Sequence, residues 1–137
     1  MDAQFSLPYS VAVAIVKRDV WIDDFTPQAI HNAKVRKLLP SIKPRSDTEV
    51  LVHDNWVGGS RVTIKTKAGA SYSKLVRYAK GHPNNPITME EMPERFRKCV
   101  AFSPRPFLNH NIEELIDLVL HLEEVDDVTS IVKLLVP

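Results

Sequence analysis

Residues 61–78 read RVTIKTKAGASYSKLVRY, and their pattern decides the fold class. Over 61–67 the side chains alternate. Val62 and Ile64 fall on one side and Arg61, Thr63, Lys65 and Lys67 on the other, the two-residue period of a half-buried strand. Ala68-Gly69 supplies the reversal, because glycine takes positive φ without a Cβ penalty. Residues 71–78 then return as the partner strand, and residues 49–53 upstream are also β-prone. A short antiparallel sheet is therefore predicted in mid-chain.

Outward from this hairpin, the signals are helical. On the N-terminal side, residues 7–16 read LPYSVAVAIV, the most apolar stretch of the chain. Ser6 is a natural N-cap, and Pro8 is tolerated in a first turn, where its missing N–H has no partner to lose. The helix is expected to run to Lys17 or Arg18. Val11, Val13, Ile15 and Val16 are β-branched, so packing has to hold it. Its apolar residues surround the cylinder instead of forming one stripe, which predicts burial on more than one side, the second face meeting either a partner or the rest of its own domain. Thr26-Pro27 opens a short helix through Ile30; another is expected from 33 to 39, and Pro40 and Pro44 end helical structure. On the C-terminal side, KGHPNNP at 80–86 is a stiff loop. Thr88 and Glu91 form a capping box for a helix toward Val100, with Pro93 predicting a kink or a later start. Asn111 with Glu114 caps a helix over 112–122, and Asp126 or Asp127 caps a last one. Helices, a small antiparallel sheet and more helices make an α+β domain.

At 137 residues and 44% apolar content, the chain has the size of a single domain with its own core. Its single cysteine, Cys99, excludes an internal disulfide framework and reads as a small buried apolar residue near a helix end. A reduced, cytoplasmic setting is expected. The net charge of +1 offers no global field toward nucleic acid or an anionic membrane. No segment approaches the roughly 18 apolar residues of a membrane span. Histidines 31, 53, 82, 110 and 121 show no metal-binding spacing, and no metal or organic cofactor is indicated.

The opening Gln4-Phe5-Ser6-Leu7-Pro8-Tyr9-Ser10-Val11-Ala12 is similar to the start of the C-terminal domain in the MmgE/PrpD family. That family includes 2-methylcitrate dehydratases, cis-aconitate decarboxylases and iminodisuccinate epimerases. Phe25-Thr26, then Val35 to Leu39, come in the family's order. The stretch Lys80-Gly81-His82-Pro83-Asn84-Asn85-Pro86-Ile87-Thr88, with Glu90, Glu91, Phe96 and Arg97 after it, resembles the family's G-(D/H)-P-x-N-P loop and its following helix. The resemblance covers nearly the whole chain, with two departures: Arg95 where relatives often carry lysine, and Pro93 inside the helix.

The resemblance implies one C-terminal domain over residues 1–137 that closes an active-site cleft against a larger helical N-terminal domain. That domain, which supplies most of the acid–base residues, is expected to be missing from this chain, as in an excised piece or one half of a split enzyme. The implied chemistry is proton abstraction beside a carboxylate on a small di- or tricarboxylic acid. Loss of water, loss of CO₂ or return of the proton then completes the reaction, and the isolated chain would be inactive. A homodimer is implied too.

Four residues are candidates for the site. Tyr9, one turn after Phe5, is the catalytic candidate: its phenol could donate to substrate across the cleft, or simply bury its ring at a domain interface with the hydroxyl satisfied. Ser6 could bind substrate or act only as a cap. His82 is held in a stiff loop, where its imidazole suits proton transfer or carboxylate binding, or it is an ordinary loop histidine. Lys80, at the head of the same loop, is a cation for a substrate carboxylate. Two charge runs stand apart from these. Residues 61–80 hold six basic and no acidic side chains, and residues 113–127 hold seven acidic side chains and no Lys or Arg. They read as solvated faces, or as surfaces for a polyanion or another subunit. The alternatives to the enzyme-domain reading are a stand-alone anion- or RNA-binding module and an assembly domain that dimerises through its first helix.

Overall fold

The computed structural model describes residues 3–51 and 59–135. Its helices are α1 Leu7–Lys17, α2 Ala33–Leu38, α3 Thr48–Leu51, α4 Glu91–Val100, α5 Asn109–Leu120 and α6 Thr129–Leu134, with strands β1 Ser60–Lys65 and β2 Ser71–Val76 between α3 and α4. The α+β class expected from the hairpin is the one observed. The chain gathers into two compact units, Met1–Asp54 and Asn55–Pro137.

In the first unit, α1 starts where the cap predicts. Ser6 is extended, and its Oγ accepts the Tyr9 N–H at 3.3 Å. The helix stops at Arg18, which turns left-handed at φ 65° and donates its N–H to the Ala14 carbonyl at 2.9 Å. A side chain in that region is strained, and glycine is the residue such an end prefers. Tyr9, Ala12 and Val13, spaced to share one face of α1, pack against Val35 of α2. Val16, Phe25, Ile30 and Leu38 surround them, half-buried. Asn32 Oδ1 caps α2 by accepting the Lys34 N–H at 3.0 Å and the Val35 N–H at 3.4 Å.

Several boundaries differ from those expected. Thr26 accepts the Ala29 N–H at 3.3 Å, but the segment it opens is a 3-10 turn, Ala29–His31. Pro40 does not end helical structure at once; it sits inside the 3-10 turn Leu39–Ser41, where no N–H is needed from it. Residues 48–51, which include part of the β-prone stretch, form the single turn α3, and residues 52 and 53 lie outside the described residues. A helical turn closes on its own backbone, as the Val50 N–H does on the Asp47 carbonyl at 3.2 Å, whereas a strand requires a neighbour.

In the second unit, β1 and β2 pair antiparallel with Ser60 opposite Val76, Val62 opposite Lys74 and Ile64 opposite Tyr72. Thr63 and Ser73 share a side-chain hydrogen bond of 2.9 Å. Gly69 takes φ 88° in the turn, where Thr66 N–H reaches the Ala70 carbonyl at 2.8 Å. The capping box forms as expected, with Thr88 N–H donating to Glu91 Oε2 at 2.8 Å. Because α4 begins at Glu91, Pro93 falls in its first turn, where it costs no helical hydrogen bond, so neither a kink nor a late start is needed. The start of α5 lies at Asn109, which leaves Asn111 inside the helix and not at its cap. Arg97 of α4 forks onto Glu113 of α5, Nε to Oε1 at 2.8 Å. Asp127 caps α6 through Thr129 N–H at 2.9 Å. Cys99 does lie near a helix end but is exposed, contrary to its expected burial, because α4 fully buries none of its residues. Among the described residues of this unit, Leu115 alone is buried. No helix among the described residues is long and apolar enough to cross a membrane.

Arg18→Gly should raise stability by about 0.5–1 kcal/mol by relieving the left-handed strain. A urea midpoint moved upward at constant slope would show it; an unchanged or lower midpoint would mean that the arginine contributes contacts which offset the strain.

Candidate functional site

The loop between β2 and α4 is built by its own backbone. His82 N–H donates to the Ala79 carbonyl at 3.1 Å, Asn85 N–H to the His82 carbonyl at 2.7 Å, and Gly81 N–H to the Asn85 carbonyl at 2.8 Å. Asn85 Nδ2 reaches back to the Tyr78 carbonyl at 2.9 Å and ties the loop to the end of the hairpin. Gly81 adopts φ 97°. A Cβ there would meet the Ile87 side chain at an ordinary 3.6 Å, so the backbone angle, and not the space, requires glycine.

Two candidate residues sit on this frame. The His82 ring stacks on Tyr78 with centroids 4.6 Å apart and planes 23° from parallel. Its Nδ1 accepts the Asn84 N–H at 3.0 Å, which places the proton of the neutral ring on Nε2. Lys80 Nζ lies 2.6 Å from Glu91 Oε2, the same oxygen that receives the Thr88 N–H. The Lys80 ammonium and the Thr88 amide hold the Glu91 carboxyl below its usual range. The loop therefore fixes an ammonium and an imidazole in one segment of the second unit. It can bind an anionic group. Glu91, the residue that positions Lys80, was legible as a cap from its spacing to Thr88, but its ion pair was not, because Lys80 lies eleven positions earlier in the chain.

The other two candidates belong to the first unit. Tyr9 is 5% exposed, its ring lies 5.8 Å from Phe25, and its hydroxyl donates to the Asp24 carbonyl at 2.5 Å. Burial, then the Asp24 charge, raises its pKa above the usual phenol value. As placed, the phenol serves the core and presents no proton to a cleft. Ser6 caps α1, which occupies its oxygen as an acceptor and leaves its hydroxyl proton for another partner.

The two charge runs fare differently. The basic residues of the hairpin divide between its faces, Arg61 and Lys65 on one and Lys74 on the other, so no single basic face forms. Among the described residues, no group of three or more His, Cys, Asp or Glu side chains is placed to hold a metal ion. The acidic run borders an open hollow of about 540 Å³ at the junction of α5 and α6, with Asp117, His121, Glu124 and Asp127 among its lining. The backbone carbonyl of Asp117, then its carboxylate 3.3 Å away, raises the His121 pKa.

A group whose folded pKa is raised contributes stability that is complete below its unfolded value, about 6.5, and lost as pH rises through the folded value. An NMR titration should therefore place His121 above that unfolded value, and Asp117→Asn should lower its midpoint; equal midpoints in the two proteins would remove the carboxylate from the account. Gly81→Ala should cost about 1–2 kcal/mol through the left-handed strain it imposes, read as a lowered urea midpoint.

The sequence profile of the MmgE/PrpD C-terminal domain matches residues 1–129. Cis-aconitate decarboxylase of Mus musculus is 22% identical over 142 residues, covering 98% of this chain and 27% of its own length. Cis-aconitate decarboxylase of Homo sapiens is 23% identical over 134 residues, again 98% of this chain and 27% of its own. The chain thus spans about a quarter of the length of the curated relatives it matches.

Proposed function

The chain belongs to the MmgE/PrpD family, whose C-terminal domain it matches, and from that premise we propose that it completes the active site of a lyase or isomerase acting on small di- or tricarboxylic acids. In this reading it closes a cleft against a helical domain and is inactive alone. The observation that carries the reading is the far side of α1. On the side of α1 away from the buried Tyr9, Ala12 and Val13, Leu7 is 56% and Ile15 41% exposed, and Phe5, just before the helix, is 83% exposed. A helix that is apolar all round and buried on one side only has a second side suited to a partner.

On that reading Lys80 and His82 hold a substrate carboxylate, the lysine as a point charge and the histidine through its ring. Glu91 keeps Lys80 in place, and the lysine's remaining N–H donors are directed by the substrate. Tyr9 takes a positioning role: by tying α1 to Asp24 it sets the helix face that meets the helical domain. The general base comes from that domain. Relatives named for cis-aconitate decarboxylation favour a tricarboxylate substrate and loss of CO₂, with dehydration of a 2-methylcitrate-like acid as the second choice. The exposed thiol of Cys99 suits a reducing, cytoplasmic setting. The RNA-binding alternative loses its main support with the division of the basic residues between the two hairpin faces.

The test is reconstitution. Mixed with a helical domain of the family, the chain should form a one-to-one complex that consumes cis-aconitate, while the chain alone does not. Leu7→Asp with Ile15→Asp should weaken that complex at least tenfold while leaving the thermal midpoint of the chain unchanged, since both side chains are exposed. No association at micromolar concentration, or turnover by the chain alone, would overturn the proposal. With the complex in hand, Lys80→Met should raise KM more than it lowers kcat if the ammonium binds the carboxylate in ground and transition states alike.

A further inference from the structure

The ammonium of Lys80 does not stand alone in the loop ahead of α4. Glu91 Oε2 lies 2.6 Å from its Nζ, and the same oxygen accepts the Thr88 N–H at 2.8 Å. Thr88 Oγ1 in turn accepts the Glu91 N–H at 3.3 Å, so a closed capping box holds the carboxylate that meets the lysine. Glu90 brings a second acid. The Thr88 hydroxyl, then its own backbone, hold the Glu90 carboxyl below the usual range. Lys80 and then the Thr88 amide do the same for Glu91, so both acids are ionised at neutral pH. The lysine is therefore one cation beside two anions, the reverse of the excess positive charge that gathers a polyanion. It can still donate, because an ammonium has three N–H donors and one is directed at Glu91. What it offers is hydrogen bonds whose charge is already offset.

We propose that Glu91 determines the specificity of this loop: by pairing with Lys80 it limits the loop to one carboxylate of the substrate and turns the remaining charge away. The inference rests on the reading of Lys80 and His82 as holders of a carboxylate. One carboxylate gains its hydrogen bonds from them at short range, where direction counts. The other carboxylates of a di- or tricarboxylic acid make no contact with the loop. They feel its negative balance at longer range, where only charge counts. The acid is thus oriented with one end in the loop and its further carboxylates turned outward. Each added carboxylate raises the repulsion, so the pairing grades ligands by charge. Glutamine is the informative replacement for Glu91. Its side-chain carbonyl still accepts the Thr88 N–H and keeps the cap, and only the charge is lost. A role confined to capping α4 would leave the grading by charge untouched.

NMR titration of the full chain with acetate, succinate and citrate tests it, at constant ionic strength and a slightly alkaline pH that ionises every carboxylate. Glu91→Gln should tighten binding little for acetate, about threefold for succinate and about tenfold for citrate, one factor for each further carboxylate freed from repulsion. Circular dichroism should stay as in the unaltered chain, since the side chain is part-exposed and the cap is kept. Glu90→Gln removes the same charge without touching the ion pair, and should give a smaller gain for each acid. Equal gains for the three acids, no gain, or a gain from Glu90→Gln as large as that from Glu91→Gln would each overturn the inference and leave the loop a carboxylate holder. A loop whose resonances move for none of the acids in any of these proteins would instead take that role from Lys80 and His82, and the inference with it.

Discussion

Asp24 is a buried acid, and much of the first unit is arranged so that it can be one. A carboxylate 4% exposed would be costly if unpaired. Here one oxygen meets Lys17 Nζ at 2.6 Å and the other accepts the Trp21 N–H at 2.9 Å, while the backbone carbonyl of the same residue receives the Tyr9 hydroxyl. Lys17 and Tyr9 both come from α1, eight residues apart, so a single loop residue fixes the helix near both ends. The Lys17 pKa is raised chiefly by its bond to Asp24, as expected for an ammonium held by a carboxylate. The half-exposed lysine makes the pair modest as a source of stability; its clearer effect is on geometry. It holds the buried stripe of α1 toward Val35, and the exposed stripe is what remains.

That division of α1 explains which parts of the sequence could be read in advance. The cap at Ser6, the hairpin register and the turn at Gly69 depend on neighbours a few residues away, and local chemistry is what a sequence displays directly. The role of Tyr9 depends on Asp24, fifteen residues on, and no periodicity links them. The phenol was therefore readable only as one of two things, a donor to a cleft or a satisfied core group. The same limit applies to Lys80 and Glu91, and to the stacking of His82 on Tyr78. Where the sequence misled, at residues 48–51 and at Cys99, the residue types were suggestive but the context was not local. A β-prone run needs a strand to pair with, and a cysteine needs a face turned inward.

The two units stand at different points on the scale from self-sufficient to dependent. The first has a small core of four mutually packed residues, Tyr9, Ala12, Val13 and Val35, closed by a hydrogen-bonded loop. The second has well-formed local structure, with caps, a turn, a bidentate ion pair and a tied loop, but little buried apolar area. Hydrogen bonds and exposed ion pairs specify a conformation more effectively than they stabilise it. Such a unit is suited to acquire its stability from association, which agrees with the two relatives in which the matching part is about a quarter of a longer chain.

Cys99 is the chain's single cysteine, and it stands exposed at the end of α4, in the unit that holds the candidate carboxylate loop. One accessible thiol in 137 residues makes the protein a ready substrate for single-site chemistry. A maleimide dye or nitroxide attaches at one known position without any prior mutation. Fluorescence or spin-label distances could then follow how this unit is oriented in larger assemblies.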